Sequence, residues 1–214
     1  MVAAMLRPTG RRRRGRLTAG VPRRAARRAG TCGAVPGWVP MDVPEGFALR
    51  PTTAADVPAL TRLLHAAYAD LAAAGLNFTG ATQSDEVTAA RTLGGGASWV
   101  VVDAAGALAG TVTCSSPPSG GLRALTAAAR APGRVWLNQL AVRPDLRGRG
   151  LASVLWGALR SWAVDRGAGS VGLDTAVPAR GLRRMYARWG FAEGDVVQWP
   201  GKAYRSVVMV RDLP

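Results

Sequence analysis

The chain has 214 residues, 48% of them apolar, which is enough for one domain with a substantial core. Its net charge of +15 is concentrated: ten of the 28 Lys and Arg residues lie at or before Arg28, no Asp or Glu precedes Asp42, and residues 42–214 set 18 basic groups against 13 acidic ones. Two distant cysteines (Cys32, Cys114) and a single histidine (His65) exclude a disulfide framework and a metal cluster, and no apolar run approaches the ~18 residues of a membrane span.

Residues 1–41, rich in Arg, Gly, Pro and Ala, cannot bury a core and read as a disordered basic tail. A nucleic-acid arm or an Arg-rich targeting peptide would suit the charge. Pro8 and Pro22 break any amphipathic helix there, and the apolar stretch of a secretory signal is missing. Met41 stands directly before domain-like sequence, and 27 Arg against one Lys has the bias of GC-rich coding. The tail is therefore read as incidental, an extension upstream of an alternative start. The expectation is a cytoplasmic protein with a domain over 42–214, no membrane partner and no nucleic-acid role.

A short strand over 47–50 opens that domain. Thr53 to Asp56 is a cap region for a helix with Val57, Leu60, Leu64, Ala67 and Leu71 on one face. His65 lies on this helix as a packing or surface residue. A loop over 75–80 and a weaker helix over 84–93 follow, broken by Gly94-Gly95-Gly96. Runs 99–102 and 110–114 form a hairpin around 103–106, which makes Cys114 a small buried residue. The stretch 115–133, with Pro117-Pro118 and Gly120-Gly121, reads as a long loop bordering a pocket. Next come a central strand over 134–142, a glycine loop, a helix with Leu151, Val154, Leu155, Ala158, Leu159 and Trp162 on one face, and a strand over 170–174. A helix over 180–189 and a strand pair at 196–199 and 204–210 close the chain. Hairpins with one parallel crossover predict a mixed sheet flanked by helices.

The stretch Leu137 to Trp156 carries the functional signal. A strand runs into Pro144-Asp145, then Arg147-Gly148-Arg149-Gly150, and a helix starts at once. That arrangement aims backbone N–H groups and the positive end of a helix dipole at one point, an anion site most often used for phosphate. Gly148 and Gly150 permit close approach of the backbone, and Arg147 and Arg149 add charge. As a dinucleotide fingerprint the loop gives Gly148-x-Gly150-x-x-Ser153, without a third glycine, while Asp174 ends the next strand near where a ribose-binding acid would sit. About a hundred residues of different pattern precede it, and only one strand-helix-strand unit is visible.

Read instead as Arg147-x-x-Gly150-x-Ala152 after a Leu-Ala-Val-x-Pro strand end, the loop resembles the coenzyme A pyrophosphate motif of the GNAT superfamily of acyl-CoA-dependent N-acetyltransferases. Met185-Tyr186-Ala187-Arg188-Trp189-Gly190-Phe191 resembles that superfamily's later helix, with its tyrosine, four residues, then Gly-Phe. Phe47-Ala48-Leu49-Arg50-Pro51 followed by Asp56 resembles its opening strand and first helix. The series covers roughly residues 45–212. It implies an α/β fold with a mixed, mostly antiparallel central sheet of six to seven strands flanked by helices. It also implies acetyl-CoA as cosubstrate and transfer of the acetyl group to a primary amine in a ternary complex. The alternatives are a non-catalytic acyl-CoA-binding module and, more remotely, a dinucleotide-binding oxidoreductase.

The resemblance gives the phosphate grip to the backbone of Arg147, Gly148, Arg149, Gly150, Leu151 and Ala152. Backbone bonds to pantetheine and the oxyanion fall to Leu140, Ala141 and Val142. Tyr186 is the expected general acid, since a phenol of pKa ~10 can protonate a departing thiolate of ~8.5. Its other reading is an aromatic on a buried helix face shared with Leu182, Met185 and Trp189. No carboxylate lies in 134–142 to act as base. Asn138 can only orient a water, and Asp174 reads more simply as a turn cap. Relatives often carry Asn where Ala179 stands. Asp70, Asp85 and Glu86 are candidate contacts for a cationic acceptor. The acceptor, small molecule or protein, is not readable, and monomer and homodimer are both open.

Overall fold

A computed structural model of the chain describes residues 42–214. The expected basic tail over 1–41, with Cys32, lies outside the described residues.

Strand β1 (Phe47–Pro51) leads to helix α1 (Val57–Ala73) through a capping box. The Asp56 carboxylate accepts from the Thr53 backbone N–H at 2.8 Å and its hydroxyl at 2.9 Å. Both carboxylate oxygens also take the Arg50 guanidinium at 2.7 Å, which clamps strand to helix. That guanidinium, helped by Thr53, holds the Asp56 carboxyl far below the usual carboxylate range. The five apolar positions expected on one face of α1 are all buried. Helix α2 (Asp85–Leu93) begins at Ser84, whose hydroxyl accepts the Val87 N–H at 3.4 Å. His65 sits half-buried with Nε2 2.8 Å from the Gln83 carbonyl.

Strands β2 (Ala97–Asp103), β3 (Leu108–Ser115), β4 (Arg134–Val142), β5 (Ser170–Ala176), β6 (Ala192–Val197) and β7 (Ser206–Asp212) complete a seven-stranded sheet in the order β1-β2-β3-β4-β5-β7-β6. Only β4 and β5 pair in parallel, joined by the crossover helix α4 (Leu151–Asp165). Both α1 and α4 pack on β3 and β4 without packing substantially on each other, so they cover opposite faces. The main core lies between these helices and the sheet. Leu151, Val154, Leu155, Ala158 and Leu159 are buried as their spacing predicts, and Trp162 is half-buried. Helix α5 (Arg180–Arg188) joins the α4 side, where Trp156 stacks on Trp189 and packs against Phe191.

The feature that positions the site is a parting in the middle of the sheet. Residues Arg134–Trp136 of β4 pair with Ser170–Gly172 of β5, and no further pairs follow. Against β3, Gln139 faces Thr113 and Leu137 faces Cys114, which leaves Asn138 as an extra, bulged residue. A bulge bends and twists its strand, and here it begins directly after the last parallel rung. At that rung Trp136 lies over Gly172: a Cβ on residue 172 would stand 2.3 Å from the Trp136 ring, so only glycine fits beneath it.

Two expectations were incomplete. The stretch 115–133 holds a short helix, α3 (Gly120–Leu125), and a 3-10 turn over Ala127–Arg130. Ser119 accepts the Leu122 N–H and Thr126 the Ala128 N–H, capping bonds that offset the two glycines at the start of α3. The last strands run over 192–197 and 206–212 rather than 196–199 and 204–210. β6 is an exposed edge strand whose first five residues face water, so no apolar alternation marks it.

Candidate active site

The glycine loop follows β4. Gly148 and Gly150 have φ of +82° and +84°, a left-handed backbone that glycine adopts without strain. Gly150 is the N-cap of α4, and a Cβ there would meet nothing within 4 Å, so the space in front of the helix terminus is open. The backbone N–H groups from Gly148 to Ala152 find no backbone acceptor among the described residues, whereas that of Arg147 is used by the Pro144 carbonyl at 3.3 Å. A cradle of free amides at a helix start has the geometry an anion takes. The two arginines divide. The Arg147 guanidinium turns away from the cradle, to Asp70 at 2.8 Å and the Ala67 carbonyl at 2.9 Å, and anchors the loop to α1. Arg149 is exposed and stays with the loop.

From Leu137 to Val142, β4 keeps β3 on one side and has no strand on the other. Leu140, Ala141 and Val142 bury their side chains while their backbone runs along this open edge toward the loop. The edge is about 16 Å long at the usual strand rise.

At its other end lies a cavity of ≈ 680 Å³. Trp136, Asn138 and Asp174 form its wall at the parting, Arg91 and the glycines after α2 a second wall, and Trp199 and Lys202, between β6 and β7, a third. The end of β3 and the loop after it supply Ser115, Ser116, Pro117 and Ser119. Asp174 is fully buried, and its Oδ2 accepts the Trp199 indole N–H at 2.9 Å. It therefore joins β5 to the segment after β6 rather than capping a turn. The candidate acids are elsewhere: Asp70 pairs with Arg147, and Asp85 and Glu86 sit exposed on the first turn of α2, off the cavity wall. Composition could not reveal Arg91, Trp199 and Lys202, because only the fold brings residues this far apart in sequence together.

Tyr186 is completely buried on α5, edge-on to Trp189 and Phe191. Its hydroxyl has no hydrogen-bond partner among the described residues. Burial, with smaller contributions from Tyr68 and Asp174, pushes the phenol well above its ordinary pKa. So the aromatic-core reading describes its ring, and the orphaned hydroxyl is what the core does not account for. Ala179 stands at the start of α5 with no side-chain cap. Cys114 is buried, and its thiol is pushed up to about 12.

The sheet order, the single parallel crossover with its glycine loop, and the parted central strands define an acyltransferase scaffold rather than a doubly wound dinucleotide fold. Residues 61–191 match the acetyltransferase (GNAT) family, and the chain belongs to it; its chemistry is acyl transfer. Solved structures agree in fold. A GCN5-related N-acetyltransferase from Kribbella flavida is 20% identical, with 80% of this chain and 100% of that chain covered and a TM-score of 0.60. The ribosomal-protein-S18-alanine N-acetyltransferase of Escherichia coli is 14% identical, over 78% and 94% of the two chains, with a TM-score of 0.59. A GNAT-family acetyltransferase of Listeria monocytogenes is 19% identical, over 78% and 95%, with a TM-score of 0.61. Comparison with curated protein sequences finds no significant match. No helix among the described residues is long and apolar enough to cross a membrane.

Proposed function

We propose that residues 42–214 form an acetyl-CoA-dependent N-acetyltransferase domain that acetylates a primary amine by direct attack in a ternary complex. The observation that carries this reading is the open edge of β4, running from the glycine loop at one end to a cavity of ≈ 680 Å³ at the other. When bound, acetyl-CoA supplies the activated acyl thioester. The amides of Gly148, Arg149, Gly150, Leu151 and Ala152 hold its diphosphate, with Arg149 adding charge, while Arg147 keeps the loop in place through α1. The backbone of Leu140, Ala141 and Val142 takes the extended arm as an added strand and aims N–H groups at the thioester oxygen. The reading has the protein act in the cytoplasm, as monomer or homodimer.

Two protons must be managed. Asp174 is the one carboxylate on the cavity wall among the described residues, and it receives the amine proton, directly or through water. Tyr186, with its orphaned hydroxyl, is the group assigned to the leaving sulfur. Its raised pKa keeps it protonated at any physiological pH and makes full transfer to a thiolate of ~8.5 uphill. The burial thus favours a hydrogen bond that stabilises the departing sulfur over complete proton release.

The test is calorimetric titration of the chain with acetyl-CoA, with NAD(H) alongside. Saturable acetyl-CoA binding is expected for the natural chain and its loss for Gly150→Val, whose branched side chain would enter the open cradle from a strained backbone. Binding of NAD(H) without acetyl-CoA overturns the reading.

A further inference from the structure

The acceptor cavity carries two cations on its walls. Arg91 comes from the last turn of α2, and Lys202 from the segment between β6 and β7. The buried Nε of Arg91 has no hydrogen-bond partner, and its guanidinium joins no ion pair among the described residues. Lys202 is fixed by neutral acceptors only, the Asn77 carbonyl at 2.7 Å and the Thr79 hydroxyl at 3.0 Å. Burial lowers the pKa of both, and Arg91 lowers that of Lys202 further, so the two stand close enough to repel. Asp174 attracts Arg91, but it also holds the Trp199 indole and is one negative charge against two positive ones. Like charges withdrawn from water are costly unless a counter-charge arrives. An unpaired arginine in a cleft is also a group poised for a ligand.

Building on the acyl-transfer reading, we propose that the acceptor is a small amino-carboxylate, an amino acid or a close analogue. Its carboxylate is bound by Arg91 and Lys202, and its amine is delivered to the parting beside Asn138 and Asp174. The planar guanidinium fork suits a carboxylate, and Trp136 and Trp199 offer flat walls for the side chain. A polyamine or other polycation would meet two positive charges and one carboxylate. A protein N-terminus brings no carboxylate beside its amine.

The experiment measures thiol release from acetyl-CoA by the full chain, offering each common amino acid in parallel with its amide, which keeps the amine and the side chain but neutralises the carboxylate. At least one amino acid should be used with kcat/KM about tenfold or more above its amide. In Arg91→Gln that ratio should fall to within about threefold, chiefly through KM for the acid, with the melting temperature unchanged or raised because no hydrogen bond or ion pair among the described residues is lost. Amides used as well as acids, an unchanged ratio in Arg91→Gln, or an Arg91→Gln that does not fold would each overturn the inference. If spermidine and simple alkylamines are acetylated while no amino acid is, the inference falls and acyl transfer stands. If no amine releases thiol and acetyl-CoA does not bind, the acyl-transfer reading falls first and this inference with it.

Discussion

Tyr186 is where packing and chemistry can be told apart by a single atom. Its ring belongs to the aromatic cluster of Trp156, Trp189 and Phe191, while its hydroxyl is buried without a hydrogen-bond partner among the described residues. An unpaired buried hydroxyl costs about 1–3 kcal/mol. Tyr186→Phe should therefore keep or raise the melting temperature while lowering kcat by about 10²-fold, with KM for acetyl-CoA little changed. The raised pKa adds a sign: the neutral phenol is the active form, so Tyr186 imposes no alkaline fall in kcat between neutral pH and its ordinary value of about 10. Melting curves and a pH–rate profile check both. A fully active Phe variant would return the residue to the core and nothing more.

The glycine loop works as an element held from behind. Arg147 is the more buried of its two arginines and reaches across to α1; Arg149 is exposed. Arg147→Ala should lower the melting temperature and weaken acetyl-CoA binding about tenfold at any salt, because the cradle loses its mooring. Arg149→Ala should leave the melting temperature unchanged and weaken binding only at low salt, where an exposed charge is least screened. Thermal melts and titrations at two salt concentrations separate the roles.

The same contrast shows what the sequence could reveal. Helix faces at Val57 to Leu71 and Leu151 to Leu159 were legible, since burial repeats with the helical period. So was the turn of the glycine loop into α4, where glycine is tied to a backbone angle. The mooring of Arg147 was not, since nothing local distinguishes an arginine facing an anion from one bonded to a helix 77 residues earlier. The start of strand β6 was placed too late, at 196 rather than 192, because an edge strand facing water has no apolar period. The cationic wall was missed because Arg91 and Lys202 stand on separate elements brought together only by the closed fold.

Across the whole molecule, charge is unevenly spread, yet the part that bears on catalysis is local. The net positive charge of residues 42–214 is modest, and four of its arginines are held in ion pairs among the described residues: Arg50 with Asp56, Arg143 with Asp103 and Asp145, Arg147 with Asp70, and Arg183 with Glu193. Arg91, which joins no ion pair among the described residues, is set apart by its place on the wall of the acceptor cavity with its Nε buried. Most of these pairs are partly exposed and worth little individually. They set local geometry more than overall stability.

Three residue pairs between β4 and β5, with one backbone bond from Gly169 to the Gly133 carbonyl beside them, connect the strands β1 to β4 with β5, β7 and β6. Seen as mechanics, the sheet is two leaves on a short spine, strapped by the crossover helix and, farther out, by the bonds of Asn77 to Lys202 and Ala203 and of Thr126 to Asp195. The backbone pairing between the leaves ends at the Trp136–Gly172 rung, which leaves their edges parted beyond it. A thioester arm laid between them acts as a splint. Amide hydrogen exchange should therefore slow on acetyl-CoA binding not only in the loop but along Leu137–Val142 and Leu173–Ala176 together, as one cooperative unit. Exchange that slowed in the loop alone would mean that the leaves are already locked.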